Sequence, residues 1–573
     1  MIKRMMLVLA LIFSLATAAQ AATFNGAWPY SVPPQGHYNT FVPNNISLGM
    51  YWDLLEQPLA IQYWSTGKWM PLLATNWELT PKDNPDTFRV HLRPGVKWQD
   101  GNPFTAKDVV DTFYLGKLLN WAVWQYIDTV TAVDDYTVDF HMAKPSSVVP
   151  RYVLREHMRS AAVYGKLADQ ELALIKKGEG PDSSAMKLLK VQLNQFRPER
   201  IVGTGPFVLD PTNLTEAGVD LTRWHGYWDD KTIQFDDIHV YNGETPTVTP
   251  LVLAKKVDYA THGFPPATEK QFVDEGIRII RPPIYSGPAL YVNYNIYPLN
   301  RKEVRQAIAY AVERNQNAVV SLGASAKPQL CMCGFSDNIV PLWLSKETQA
   351  KLNAYAYDPA KATQILQGIG FSKGADGIWR DDKGKPMQYE LIVPQEYADW
   401  SAAAQNLAEQ LTKFGIKVTV RGITYSQEPQ EIWQGRFQMA IQGWGAGNPH
   451  PEFSFFQDLI TYNTPGGQGP GMNLPLVQNT DSVGQIDLQK AVADSAVGLD
   501  QASQTAAVTR LSLAFNELLP IIPLWERFGN NPALDGVHVT NWPPEGDPIY
   551  TNDPYTDNFV TMLILDGTLK PAM

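Results

Sequence analysis

The sequence predicts an α/β protein of at least two globular domains. Short strand-like runs rich in β-branched and aromatic residues alternate with amphipathic helical stretches throughout. The chain has 573 residues, more than a single hydrophobic core supports.

Taken in order, residues 24–46 are irregular and rich in Asn and Pro, and a helix is expected at 48–57. Residues 87–93 (TFRVHLR) alternate as a half-buried strand does, and a Gly-Asn-Pro turn follows Asp100. Thr105 with Asp108 three residues later forms a helix-start signature ahead of Val109, Val110 and Phe113. Short strands are expected at 137–141, 207–209, 237–241 and 277–280, with turn residues between them. A second architecture begins near Ala289, with a strand at 290–295 and a helix capped by Asn300, with Glu303 at its third position. Asp358-Pro359 opens another helix, and residues 389–393 read as a strand. Trp400, Ala404, Leu407, Leu411 and Phe414 then line one helical face that Gly415 ends, before a strand at 417–420. A helix near 505–518 and strands at 521–525 and 559–565 close the chain, without internal repeats.

The start of the chain reads as an export signal. Lys3 and Arg4 precede an apolar stretch at 5–15, and Ala19-Gln20-Ala21 is a small-residue cleavage site, so the mature chain is expected to begin at Ala22 in a periplasm. That stretch is shorter than the ~20 residues a membrane span needs. No cysteine follows it to accept a lipid. The net charge is −11, and loss of Lys3 and Arg4 makes it more negative, which disfavours a nucleic-acid partner. The only cysteines are Cys331 and Cys333. In an oxidising compartment they are expected to close a small strained ring, with two free thiols or a metal pair as competing readings. No further Cys or His stands close enough to complete a metal site, and no cofactor is expected.

Several separated segments resemble the peptide- and oligosaccharide-binding class of ABC-transporter solute-binding proteins, family 5. They are LLATNWEL at 72–79 with FRVHLRPGVKWQDGNPFTAKDVVDTF at 88–113, VGTGPF at 202–207, residues 223–228 with Val257-Asp258, Asn295, VRQAIAYAV at 304–312, QGWGAGNP at 442–449 and LPIIPLW at 519–525. The resemblance implies a periplasmic-binding-protein-like, two-lobed clamp of type II with an extra inserted domain. Residues 22–50, 201–285 and 521–573 would form lobe one, 51–200 the inserted domain and 286–520 lobe two. It further implies a monomer that binds a small oligomeric ligand in the inter-lobe cleft, closes about a hinge and delivers the ligand to ABC permease subunits.

Peptide-binding members carry an aspartate three residues after the tryptophan of the 442–449 segment, where it pairs with the ligand's ammonium group. Here Gly447 holds that position, and Ile441 offers no charge to a carboxylate. A buried ammonium without a partner is costly. What remains is aromatic and neutral: Trp444, Gly445, Asn448 and Trp525, with Asn44 and Asn45 ahead of the first helix and Trp121 and Trp124 from the inserted domain. Rings that stack on sugar faces, together with amides that bond hydroxyls, suit a neutral, β-linked oligosaccharide. Any of these tryptophans also serves as a packing residue, and asparagines in a Pro-rich loop serve as turn residues. The rival within the family is an oligopeptide held by another anchor, such as Glu452 or Glu526. The rival outside it is a glycoside hydrolase, but the paired carboxylates Asp229-Asp230 and Asp381-Asp382 are sequence neighbours on turns. No HExxH, GxSxG or phosphate-loop pattern occurs, so catalysis is not expected.

Overall fold

A computed structural model describes residues 21–463 and 469–572. The export signal read at residues 1–21 therefore lies almost wholly outside the described residues. Two sheets organise the molecule. The first has seven strands in the order Arg278–Ile280, Asn531–Ala533, Tyr259–Ala260, Thr23–Ala27, Asp237–Tyr241, Gly218–Arg223, Phe207–Leu209. Its central strand, Thr23–Ala27, runs parallel to both neighbours, Asp237–Tyr241 and Tyr259–Ala260. Phe24 points from that strand into a fully buried cluster with Tyr51 and Phe235.

The second sheet has five strands, in the order Lys417–Ile423, Gln388–Pro394, Met439–Trp444, Gly287–Val292, Ile522–Pro523. The first three are mutually parallel. Every residue of Gly287–Val292 is buried, the pattern of a strand covered on both faces. Helix Ala398–Phe414 buries Ala403, Ala404, Leu407, Leu411 and Phe414 against the sheet, following the predicted periodicity. It ends at Gly415, whose φ of +108° suits glycine. Two antiparallel segments cross between the sheets: Ile284 N donates to Arg527 O, and Arg527 N donates to Ser286 O. These crossings join the two lobes, at the position a hinge would occupy.

The inserted unit is a four-stranded antiparallel sheet, Ala74–Leu79, Thr87–Leu92, Thr137–Met142, Ile127–Asp134, with helix Ala106–Leu118 packed on it. That helix begins with the predicted capping box, Thr105 N donating to Asp108 Oδ2 at 2.8 Å. The unit is pinned to both lobes. Arg155 pairs with Asp53 at 2.8 Å, and burial alone would raise the Asp53 carboxyl, but Arg155 and His157 together hold it below its ordinary range. On the other side, Tyr126 and Tyr152 donate to the two oxygens of Glu452 at 3.0 and 2.9 Å.

The structure revises several expectations. Strand Ile522–Pro523 pairs with Leu290 and Ala289, so the chain remains in the second sheet past residue 521 and rejoins the first only at Asn531. Residues 49–54 form a 3-10 turn, not a longer helix, and they pack in the first-lobe core. The helix expected to be capped by Asn300 runs Lys302–Ala311 with Arg301 at its cap, and segment Phe559–Leu565 is a helix. Cys331 and Cys333 do not form the expected ring: both are free thiols. Met332 between them adopts φ +44°, and a bridge needs paired Cβ vectors that such close neighbours rarely offer. Among the described residues, no helix is long and apolar enough to cross a membrane.

Candidate functional site

In open α/β sheets, ligands bind beyond the carboxyl ends of parallel strands. In the first sheet the three parallel strands lead into Trp28, into Gly243-Glu244 and into His262-Gly263. In the second they lead into residues 395–400, 424–428 and 445–448. These two sets meet across the lobe boundary. A Cβ added to Gly263 would lie 2.5 Å from the carboxyl carbon of Asp399, so first-lobe backbone lies directly against the start of a second-lobe helix.

The second-lobe wall of this cleft is aromatic. Tyr397 stands edge-on to Trp400 at 5.3 Å and beside Tyr425 at 4.9 Å. Trp400 is half-buried and lies over Gly443, where a Cβ would come within 3.6 Å of the ring; Tyr425 is 48% exposed. On the first-lobe side, Trp28 meets Tyr555 edge-to-face at 6.0 Å, and the Arg527 guanidinium lies 5.8 Å from the Tyr555 ring. Polar groups stand among these rings. Asp399 is buried and Glu244 half-buried, and burial, reinforced by the nearby Asp399, pushes the Glu244 carboxyl up to about 7.

Of the residues expected from sequence to touch ligand, Gly445 and Asn448 lie in the 445–448 loop at this boundary, and the others lie away from it. Trp444 and Trp525 are fully buried in the second-lobe core; the Trp444 indole donates to Trp525 O at 3.1 Å and the Trp525 indole to Asn317 Oδ1 at 3.0 Å. Gly445, at φ +70°, approaches the hinge so closely that a Cβ would sit 2.8 Å from Tyr285 O. Asn448 is buried and accepts from His450 N. Asn44 is exposed with φ +66°, while Asn45 bonds Ser47 N and Val42 O within its own turn. Trp121 stacks on Phe41, and Trp124 donates to Phe113 O with Lys117 over its ring. The chain thus brings Trp444, Gly445 and Trp525 together as core and hinge seat, and Trp121 and Trp124 as packing of the inserted unit.

Gly447 has a tertiary explanation. A Cβ there would lie 2.8 Å from Oδ2 of Asp553, and Thr556 Oγ1 donates to Gly447 O at 2.9 Å. A carboxylate from the C-terminal segment already stands where a side chain at 447 would go. Burial pushes Asp553 up to about 7. Neither alternative anchor is free: Glu452 is held by two tyrosines, and Glu526 accepts from Ser336 Oγ and Asn338 Nδ2. Sequence reading missed Tyr397, Asp399, Trp400, Tyr425 and Arg527. The available signal was the YADW segment directly after a predicted strand.

Comparison with known proteins agrees with this architecture. Residues 68–465 match the family described as bacterial extracellular solute-binding proteins, family 5. The dipeptide-binding protein of Escherichia coli K12 is 25% identical over 467 residues, covering 74% of this chain and 77% of that protein. The glutathione-binding protein GsiB of the same strain is 24% identical over 473 residues, covering 79% and 81%. The fold is similar to a periplasmic oligopeptide-binding protein of Thermotoga maritima solved with mannohexaose, with TM-score 0.76, 20% identity, and 96% of this chain and 99% of that one covered. It is also similar to the oligopeptide-binding protein AppA of Bacillus subtilis solved with a nonapeptide, with TM-score 0.72, 16% identity, and 96% and 99% covered. With two lobes joined by a double-crossing hinge, an inserted third unit and a family match across most of its length, this chain belongs to family 5 of the ABC-transporter extracellular solute-binding proteins.

Proposed function

We propose that this chain is a periplasmic binding protein that captures a neutral, β-linked oligosaccharide between its lobes and delivers it to ABC permease subunits as a monomer. The observation that carries the ligand class is the wall of Tyr397, Trp400 and Tyr425, placed beyond the ends of two parallel strands and facing the first lobe. Aromatic faces take the C–H faces of sugar rings, and the carboxylates and guanidinium beside them bond hydroxyls. The mannohexaose found in the Thermotoga relative is in keeping with this reading. Closure about the 281–286 and 524–530 crossings would bring Trp28 and Tyr555 against a sugar stacked on Trp400.

A second reading is an oligopeptide ligand, favoured by the dipeptide- and glutathione-binding relatives. Asp553 also favours it, because the acid missing at position 447 is present in space from another segment. Thermal unfolding midpoints with cello-, xylo-, manno- and laminari-oligosaccharides and with di- to pentapeptides separate the two. A ligand at about 100 times its Kd stabilises by roughly 2.7 kcal/mol. A shift with one sugar series and none with peptides is expected; shifts only with peptides would overturn the sugar assignment.

A further inference from the structure

The cleft holds charged atoms that the protein itself leaves without hydrogen-bond partners. Asp399 is 3% exposed; its Oδ1 accepts from Trp400 N at 2.9 Å, while Oδ2 accepts nothing. Arg527, on the hinge crossing, donates no hydrogen bond from Nε or Nη2, and its Nε stands 3.9 Å from Asp399 Oδ2. That separation makes an ion pair but is too long for a hydrogen bond, so each group keeps unused donor or acceptor capacity beside the other. The two charges balance each other, but buried donors and acceptors left without hydrogen bonds are costly, so a ligand that supplies those bonds gains affinity.

We propose that Arg527 and Asp399 form a subsite that grips two adjacent hydroxyls of one sugar ring, the guanidinium donating to one oxygen and the carboxylate accepting from the other. The inference rests on the oligosaccharide reading and assigns its specificity-determining pair. The surrounding charge selects the ligand chemistry. Asp399 and Glu244 both lie near Arg527, so an anionic group would meet two carboxylates, and a cationic one would meet the guanidinium. Neutral hydroxyls, each a donor and an acceptor at once, satisfy both partners without adding charge. The pair is also preorganised. Asp399 sits in the first turn of helix Ala398–Phe414, and Arg527 is held by the two backbone bonds to the 284–286 crossing. Trp400 follows Asp399 directly, so consecutive residues would read the edge and the face of the same ring. On the opposite lobe, His262 bonds Gly243 O through Nε2 at 3.0 Å and leaves Nδ1 unpartnered.

The test is calorimetric titration of mannohexaose, cellohexaose and xylohexaose into the wild type and into Asp399→Asn and Arg527→Met. The best-binding hexasaccharide is expected to lose about 10- to 100-fold in affinity with each variant. Removing each hydroxyl of the pair in turn should weaken binding to the wild type, and removal of the one that donates to Asp399 should not weaken binding to Asp399→Asn, a comparison unaffected by any loss of folded protein in Arg527→Met. Unchanged affinity in both variants for a hexasaccharide that binds the wild type would overturn the subsite and leave the oligosaccharide reading intact. Failure of all three hexasaccharides, with peptides bound instead and lost in both variants, would make the pair an anchor for a zwitterion and overturn both.

Discussion

Replacing Gly447 with aspartate would install the residue that peptide-binding relatives carry, and the structure predicts that this chain will not accept it. At φ +51° a non-glycine residue costs about 1–2 kcal/mol. Its Cβ would lie 2.8 Å from Asp553 Oδ2 and 3.3 Å from Ile284 O, so the C-terminal segment must shift. Two ionised carboxylates about 4 Å apart repel by roughly 4 kcal/mol at an effective dielectric of 20. The sign with pH follows from Asp553, which burial raises to about 7. A carboxyl raised in the folded state contributes stability at pH below its unfolded value and loses it as pH rises through the folded one. Near pH 5.5 the variant therefore relieves the repulsion by taking a proton, and its loss falls to the backbone part, about 1–2 kcal/mol, plus the steric cost of the displaced segment. At pH 8 the loss rises to several kcal/mol. Urea unfolding followed by tryptophan fluorescence at both pH values measures this directly. Gly447→Ala should show the backbone and steric part alike at both pH values, and adding Asp553→Ala to Gly447→Asp should remove the pH-dependent part. A Gly447→Asp variant as stable as the wild type at pH 8 would refute the reasoning.

Three further outcomes follow from particular contacts. Trp444→Ala empties a fully buried site and should destabilise by about 3–5 kcal/mol, while the protein that remains folded binds ligand with unchanged affinity; a selective loss of affinity would return Trp444 to the site. Glu452, fully buried between two tyrosines, is pushed up to about 7 by burial, so its contribution to stability is present at pH 4 and lost as pH rises through 7. Glu452→Gln should therefore flatten the decline in unfolding midpoint between pH 5 and pH 8, and an unchanged decline would count against this. In denaturant without reductant, a thiol reagent should titrate both Cys331 and Cys333; a chain with no reactive thiol would restore the ring.

Several local signals in the sequence held where they depended on neighbours along the chain, although the helix expected at 48–57 is only a 3-10 turn. The Thr105–Asp108 box, the apolar stripe from Ala404 to Phe414 and the stop at Gly415 all involve residues within a turn or two of each other. The helix start at Arg301 instead of Asn300 is a shift of one residue at a cap. The cleft was much less legible. Its walls come from loops after strands at 23–27, 237–241, 259–260, 388–394 and 417–423, and only the strand order brings those loops together. Trp400 and Trp444 are indistinguishable as residue types, yet one ends half-open over Gly443 and the other is sealed against Trp525. The glycine at 447 invited a conclusion about ligand charge because Asp553, more than a hundred residues later, was invisible beside it.

In the proposed function, ligand is held between the carboxyl ends of the parallel strands of the two lobes. Hydrogen–deuterium exchange, with and without the oligosaccharide that most raises the unfolding midpoint, tests it most directly. New protection is expected at residues 395–400 and 424–428 of the second lobe together with 243–244 and 261–263 of the first. Protection confined to one lobe, or centred on Trp121 and Trp124 of the inserted unit, would contradict it.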